Sequence, residues 1–146
     1  MPSVHASAVL VGARALLIRG PSGAGKSRLA LALLRAAESG RPAFARLVAD
    51  DRSVLEAHHG RLLVRPVPEL AGLIEVRGLG IRHLPYEPAA VVGLVVDLAA
   101  PDAERLPSAA SGRTIIEGIE VSRLAVAPGT EPLAQVLAAL VTEHAR

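Results

Sequence analysis

The sequence has 146 residues, of which 51% are hydrophobic and 21% charged, and these values fit one globular domain with a buried core and exclude intrinsic disorder. Fifteen arginines are scattered singly along the chain, Lys26 is the one lysine, and Phe44 and Tyr86 are the aromatic residues, so we expect no polybasic patch or stacking platform for nucleic acid and no membrane-binding patch. The absence of cysteine excludes disulfides and cysteine-ligated metal sites.

The first third of the chain reads as strand, glycine-rich loop and helix. Short apolar runs at residues 9–11 and 15–18 flank a tight turn at residues 12–14, which predicts a hairpin. Small residues follow at positions 20–25. From Ser27, leucine and alanine recur at helical spacing until Gly40 and Pro42 supply a stop signal.

The middle of the chain predicts short strands, at residues 46–49, 53–57, 61–64, 73–77 and 90–98, and residues 101–112 read as a loop. Residues 114–116 and 119–126 predict a second hairpin about Glu117 and Gly118, and the stretch from Glu131 to the chain end predicts a terminal helix. A standard parallel nucleotide-binding fold alternates strands with helices, whereas the middle of this chain does not.

One motif carries a specific chemistry. Eight consecutive residues match the phosphate-binding pattern G-x-x-x-x-G-K-[ST] at every fixed position, between a predicted strand and a predicted helix: Gly20, Pro21, Ser22, Gly23, Ala24, Gly25, Lys26 and Ser27. In such a P-loop, backbone N–H groups surround the phosphates, the lysine meets the β- and γ-phosphates, and the serine hydroxyl ligates Mg²⁺. The motif predicts nucleotide or pyrophosphate binding without identifying a reaction.

Phosphoryl transfer also needs a carboxylate for the metal and a group that accepts the proton of the nucleophile. Asp97 ends the most apolar strand, as a Walker B aspartate would. Asp50 and Asp51 end the shorter apolar run 47–49, and adjacent carboxylates repel unless a cation or a proton relieves them. The sequence by itself leaves both possibilities open.

The motifs together closely resemble the catalytic domain of HPr kinase/phosphorylase. That family has a histidine upstream of the P-loop, a Val-Ala-Asp-Asp segment, a Glu-x-Arg-Gly-Leu-Gly-Ile signature and a later Arg-Leu pair. These features correspond here to His5, residues 48–51, residues 75–81, and Arg105 with Leu106. The resemblance covers nearly the whole chain, taken as a single catalytic domain over residues 1–146 in a short form without the family's N-terminal domain.

The resemblance implies an α/β fold like that of phosphoenolpyruvate carboxykinase, with a P-loop helix and a C-terminal helix on a mainly antiparallel or mixed sheet. It implies that Asp50 or Asp51 is the general base for a serine hydroxyl, with Asp50 favoured, and that His5 hydrogen-bonds that aspartate. Glu75 would join Ser27 at Mg²⁺, while Arg77 and Arg105 would stabilise the transferred phosphoryl group or orient loops.

The implied activity is ATP-dependent serine phosphorylation of an HPr-like phosphocarrier, together with dephosphorylation by phosphorolysis, with phosphate or pyrophosphate as further ligands. The resemblance also implies hexamers. The apolar run at residues 89–100 contains Asp97 and is too short to span a bilayer, and no targeting segment is evident, so a cytoplasmic protein is predicted. Two alternatives are a small-molecule P-loop kinase that uses Asp97 as the Walker B acid and a non-enzymatic nucleotide-responsive module.

Overall fold

The computed structural model describes residues 2–142. In that part of the chain the elements are β1 (Ser3–Val11), β2 (Arg14–Arg19), α1 (Lys26–Glu38), β3 (Ala45–Ala49), β4 (Arg52–His58), β5 (Arg61–Pro66), β6 (Leu73–Val76), β7 (Gly80–His83), β8 (Ala90–Asp97), β9 (Arg113–Ile116), β10 (Ile119–Ala125) and α2 (Leu133–Val141). Short 3₁₀ turns occur at Pro68–Leu70 and Ala110–Gly112. Neither helix is long and apolar enough to cross a membrane.

Eight strands form one strongly bent sheet, and β6 and β7 form a separate two-stranded sheet. The beginning of β1 pairs with β4, whereas its second half pairs with β3. Strand β8 likewise pairs with β5 at its beginning and with β2 and β10 towards its end. The sheet therefore folds over itself, with β4 and β5 lying across the strands that carry the P-loop.

The bent sheet creates two hydrophobic cores. One lies inside the bend and contains Leu17, Leu55, Val64 and Val95 among its buried residues. The other lies between the sheet and the two helices and includes Leu16, Leu29, Leu33, Val96 and Val136. Successive residues of β2 enter opposite cores because side chains alternate along a strand, which explains why this strand is apolar on both faces.

The sheet is mixed. Strand β8 is parallel to both β2 and β10, and the other pairings are antiparallel. The α/β class with a mixed sheet and two helices, as predicted, is confirmed. The parallel β2–β8 pair places the end of the P-loop strand beside the end of β8, and Leu98 N–H donates to the Arg19 carbonyl at 2.8 Å.

The sequence patterns located most elements within one or two residues of their ends. Strand β1 is longer than predicted, since it begins at Ser3. Strand β7 was not predicted, because its four residues are all exposed and lack an apolar run. Helix α2 ends at Val141, so the predicted continuation to the chain end is partly wrong, and residues 143–146 lie outside the described residues.

Candidate active site

The P-loop joins β2 to α1 through two closely constrained glycines. Gly25 has φ of 99°, a left-handed conformation that favours glycine, and α1 begins at the next residue. A Cβ on Gly20 would lie 3.1 Å from the Leu98 Cβ and 3.2 Å from the Leu98 carbonyl oxygen. A side chain at position 20 would therefore crowd the end of β8, and glycine lets the loop pass close to it.

The Lys26 side chain folds back over the loop. Its Nζ donates to the Gly20 carbonyl at 2.8 Å and to the Pro21 carbonyl at 3.2 Å. An ammonium group has three N–H donors, so these contacts fix the charge over the loop and use two of the three. This position suits a lysine that meets phosphate oxygens.

Asp50 is the centre of the hydrogen-bond network at this site. It is 5% exposed. Its Oδ1 accepts from the hydroxyls of Ser7 and Ser27, each at 2.7 Å, and its Oδ2 lies 2.9 Å from Ser27 Oγ and accepts from the Glu75 backbone N–H at 3.1 Å. One buried carboxylate thus connects β1, the P-loop helix and β6.

Ser7 is a site residue that the sequence analysis missed. It is completely buried. Its hydroxyl donates to Asp50 and accepts from the Asp51 backbone N–H at 3.2 Å, so it links the two aspartates. The sequence offered one signal for Ser7: it follows His5 by two residues in a strand, so the two side chains lie on the same face. The sequence did not show which distant residue the serine would contact.

Asp51 differs from its neighbour in backbone and environment. It has φ of 68°, which costs about 1–3 kcal/mol for a residue other than glycine and is tolerated best by aspartate and asparagine. The turn occurs where the chain passes from β3, paired with one half of β1, to β4, paired with the other half. The reversal of φ leaves Asp51 exposed beside the P-loop while Asp50 is buried.

A cavity of about 430 Å³ opens over the P-loop. Its lining includes Lys26, Ser27, Arg28, Asp51, Glu75 and Arg77. Glu75 lies in β6, and Arg77 lies in the turn between β6 and β7, so the hairpin forms one wall of the cavity. The fold therefore brings together the P-loop, the aspartate pair and the 75–81 segment, which are far apart in the sequence.

Two of the predicted site residues lie elsewhere. His5 Nε2 is 3.2 Å from Nη2 of Arg52, its cross-strand partner, and no hydrogen bond joins His5 to Asp50 or Asp51. Since a guanidinium can only donate, His5 accepts through Nε2 in this contact. Arg105 is exposed in the loop after β8 and is not among the residues that line the cavity.

Asp97 is held between two arginines. Arg19 Nε and Nη2 donate to its two oxygens at 2.7 and 2.8 Å, and Arg123 Nε donates to Oδ2 at 2.6 Å. Burial by itself would raise the pKa of Asp97, but hydrogen bonds from Arg19 and Arg123 and their charges outweigh it and lower the pKa. Arg123 also binds Asp102 at 2.8 and 3.0 Å. These ion pairs occupy the carboxylate that the small-molecule kinase alternative required as a metal ligand.

Ser27 and Asp50 have the right chemistry for Mg²⁺. A hydroxyl and a carboxylate oxygen lie 2.7 Å apart beside the cavity, and Mg²⁺ is usually held by one or two protein oxygens together with waters and substrate phosphates. Glu75, which the resemblance implies as a second metal ligand, is an exposed residue that lines the same cavity. In residues 2–142, no group of three or more histidine, aspartate or glutamate side chains is arranged to hold a metal ion entirely by protein ligands.

The family model described as HPr Serine kinase C-terminal domain matches residues 1–145. The chain belongs to this family. An HPr kinase/phosphorylase from Limosilactobacillus reuteri is 40% identical over 80 residues, which are 54% of this chain and 23% of that protein. An HPr kinase/phosphorylase from Halalkalibacterium halodurans is 42% identical over 80 residues, covering 54% of this chain and 24% of that protein. The matched segment thus spans about a quarter of these relatives.

A solved structure supports the fold. The Hpr(Ser) kinase/phosphatase from Coxiella burnetii superposes with a TM-score of 0.76 at 24% sequence identity, and the match covers 96% of this chain and 88% of that chain. Membership of the family that the sequence resembles is therefore confirmed by sequence, and the arrangement of strands and helices is confirmed by structure.

Proposed function

We propose that this chain is an ATP-dependent serine protein kinase that phosphorylates an HPr-like phosphocarrier. The observation that carries the proposal is the hydrogen bond from Ser27 to Asp50, which unites the P-loop with the aspartate pair at one cavity. The names of the relatives supply the substrate class. A P-loop alone would support nucleotide binding without transfer, whereas an acidic group beside it supports proton removal.

The structure favours different roles for the adjacent aspartates. Asp50 is buried and accepts hydrogen bonds at both oxygens, so we assign it to orienting Ser27 and to the Mg²⁺ site. Asp51 is exposed at the cavity, so we assign it to accepting the proton of the serine hydroxyl. This proposal differs from the preference for Asp50 as the base that accompanied the resemblance, because the sequence does not distinguish the buried carboxylate from the accessible one.

Charge on the transferred group would be stabilised from two sides. Lys26 is fixed over the P-loop, and Arg77 lies on the opposite element, at the turn of the β6–β7 hairpin. Bound Mg²⁺ would neutralise phosphate charge next to Ser27 and Asp50. The serine oxygen forms its bond to the γ-phosphorus while the bond from that phosphorus to the leaving oxygen of ADP breaks, and Asp51 takes the hydroxyl proton.

The reverse activity uses the same groups. Inorganic phosphate would attack phosphoserine, Asp51 would return the proton to the departing serine oxygen, and pyrophosphate would form. We further propose a phosphoenolpyruvate carboxykinase-like placement of the P-loop, which the P-loop strand in a largely antiparallel sheet supports. A single catalytic domain, a hexameric assembly and a cytoplasmic location complete the proposal as expectations from the resemblance and composition.

The decisive experiment incubates the chain with Mg-ATP and HPr from the same organism and locates phosphate by mass spectrometry. We expect one phosphoserine on HPr and none on HPr whose acceptor serine is replaced by alanine. Nucleotide binding by the folded chain without phosphoserine would reject the kinase proposal and favour the binding-module alternative. Phosphorylated HPr with added phosphate tests the reverse direction through release of pyrophosphate.

A further inference from the structure

Arg28 is an ionisable residue at the cavity to which the proposed mechanism gives no role. It follows Ser27 in the first turn of α1 and lines the cavity. Its Nη2 lies 3.2 Å and its Nε 3.6 Å from the position that a Cβ on Gly25 would occupy. The side chain thus runs back along the P-loop, as helical side chains that point towards the N-terminus do, and covers the backbone of Gly25.

A cation is electrostatically unfavourable in this position. The positive end of the helix dipole lies at the first turn, where a positive side chain costs about 0.3–1 kcal/mol. Helix α1 has no acidic residue in its first turn to offset Arg28. Within residues 2–142, the arginines that form ion pairs are Arg19, Arg46, Arg65, Arg113 and Arg123, and Arg28 forms none. An anion supplied from outside the chain would offset the unfavourable interaction with the helix dipole and would give Arg28 a charged partner.

Several ionised side chains surround the P-loop, and Arg28 is one of three cations among the residues that line the cavity. Three carboxylates surround the loop, two at the cavity and one behind it: Asp51, Glu75 and Asp50. Lys26 and Arg77 supply two cations. The proposed Mg²⁺ would neutralise carboxylate charge, and Arg28 adds a third protein cation that lines the cavity beside the phosphate-binding loop.

We propose that the Arg28 guanidinium is a further cation of the phosphate-binding loop, beside Lys26, and that it donates hydrogen bonds to a polyphosphate on the P-loop. This deepens the proposed kinase function and rests on it. A planar guanidinium donates to two phosphate oxygens at once, and such charge-assisted contacts are about twice as strong as neutral hydrogen bonds. The affinity of the site should therefore rise with the number of phosphates in the ligand.

The test compares Arg28→Gln with the wild type and with Arg35→Gln. Arg35 is exposed in the last turn of the same helix, so its replacement makes the same charge change away from the cavity. Each protein is titrated calorimetrically with ATP, ADP, AMP and pyrophosphate in the presence of Mg²⁺. We expect Arg28→Gln to weaken ATP and pyrophosphate about tenfold and AMP less than about twofold, and Arg35→Gln to leave all four affinities unchanged.

The ligand series separates the outcomes. Equal affinities in Arg28→Gln and Arg35→Gln would overturn the proposal. Loss of ATP affinity with unchanged pyrophosphate affinity would also overturn it, because Arg28 would then contact the nucleoside. If the wild type phosphorylates HPr and Arg28→Gln binds all four ligands as tightly as the wild type does, the proposed role of Arg28 is rejected and the proposed kinase function stands. A wild-type chain that binds none of the four ligands would reject the proposed function as well.

Discussion

The Ser27 hydroxyl lies 2.7 Å from Asp50 Oδ1, which joins the P-loop to a residue 23 positions further along the chain. The same carboxylate accepts from Ser7, so the serine of the nucleotide-binding motif is tied to a buried strand of the sheet. This contact assigns Asp50 to the P-loop and leaves the neighbouring Asp51 facing the cavity. The roles of the two aspartates should therefore be separable by substitution.

Asp51→Asn should slow phosphoryl transfer strongly and leave nucleotide binding nearly unchanged. The amide cannot accept the serine proton, so we expect kcat for HPr phosphorylation to fall by about 10²–10⁴. Affinity for Mg-ATP should change by less than about threefold. Asp50→Asn should instead remove the Mg²⁺-dependent part of ATP affinity, measured by titrating ATP with and without the metal. Indistinguishable behaviour of the two variants would contradict this division of roles.

Ser7→Ala should lower both stability and activity, because Ser7 lies in β1 and hydrogen-bonds to both aspartates. The substitution removes a hydrogen bond to Asp50 and leaves the Asp51 N–H without its acceptor, which should cost about 1–3 kcal/mol in urea unfolding and lower kcat. Ser53→Ala is a matched control. Ser53 is also completely buried, but its hydroxyl donates to the Ala6 carbonyl at 2.9 Å and not to an aspartate. A Ser53→Ala variant with the same loss of kcat would show that the effect is only structural.

The Lys26→Arg variant should lose activity although the side chain keeps its positive charge. The compact ammonium donates to two carbonyls of its own loop, and a planar guanidinium is larger and cannot occupy the same place. We expect phosphorylation of HPr to fall by orders of magnitude while the thermal unfolding midpoint stays close to that of the wild type. Steady-state kinetics at saturating ATP provide the measurement, and near-normal turnover would remove Lys26 from its assigned role.

Asp97→Asn should reduce stability near neutral pH. The amide leaves Arg19 without a charged partner and leaves Arg123 paired only with Asp102. We therefore expect a loss of about 2 kcal/mol in the free energy of unfolding, below the ~3–5 kcal/mol for a fully buried pair. Asp102→Asn, at the exposed end of the network, should have a much smaller effect.

The difference in unfolding free energy between the wild type and Asp97→Asn should depend on pH, because the pKa of Asp97 is lowered in the folded chain. Because the folded-state pKa of Asp97 lies below its ordinary value of 3.8, the unfolded chain binds the proton first as the pH falls. The stabilisation is complete above the ordinary pKa and is lost as the pH falls through the folded-state pKa. Urea unfolding at about pH 7 and about pH 3 should show the gap between the wild type and Asp97→Asn narrowing in acid. A constant gap would contradict the ion-pair assignment.

Local sequence patterns were sufficient to locate most of the helices and strands. The apolar spacing after Ser27 located α1, and paired apolar runs about short turns located the hairpins β1–β2 and β9–β10. These features depend on residues that are neighbours in sequence, so periodicity and turn chemistry reveal them. Strand β7 gave no such signal, because all of its side chains are exposed and its pairing with β6 is the reason for its extended shape.

The sequence by itself was sufficient for the phosphate-binding motif and for the resemblance to the family, since both depend on residue type and spacing. It did not reveal the buried Ser7, and it grouped His5 and Arg105 with the site although neither lines the cavity. Only the tertiary structure decided what each carboxylate contacts. Asp97 ends an apolar strand as a Walker B acid would. In the folded chain, however, Arg19 on β2 and Arg123 on β10 form ion pairs with it from the two strands that run parallel to β8. Asp50 and Asp51 are adjacent in sequence, but a reversed φ between two halves of the β1 pairing sends one into the core and the other to the cavity. Both outcomes depend on contacts between residues distant in the chain, which no local pattern records.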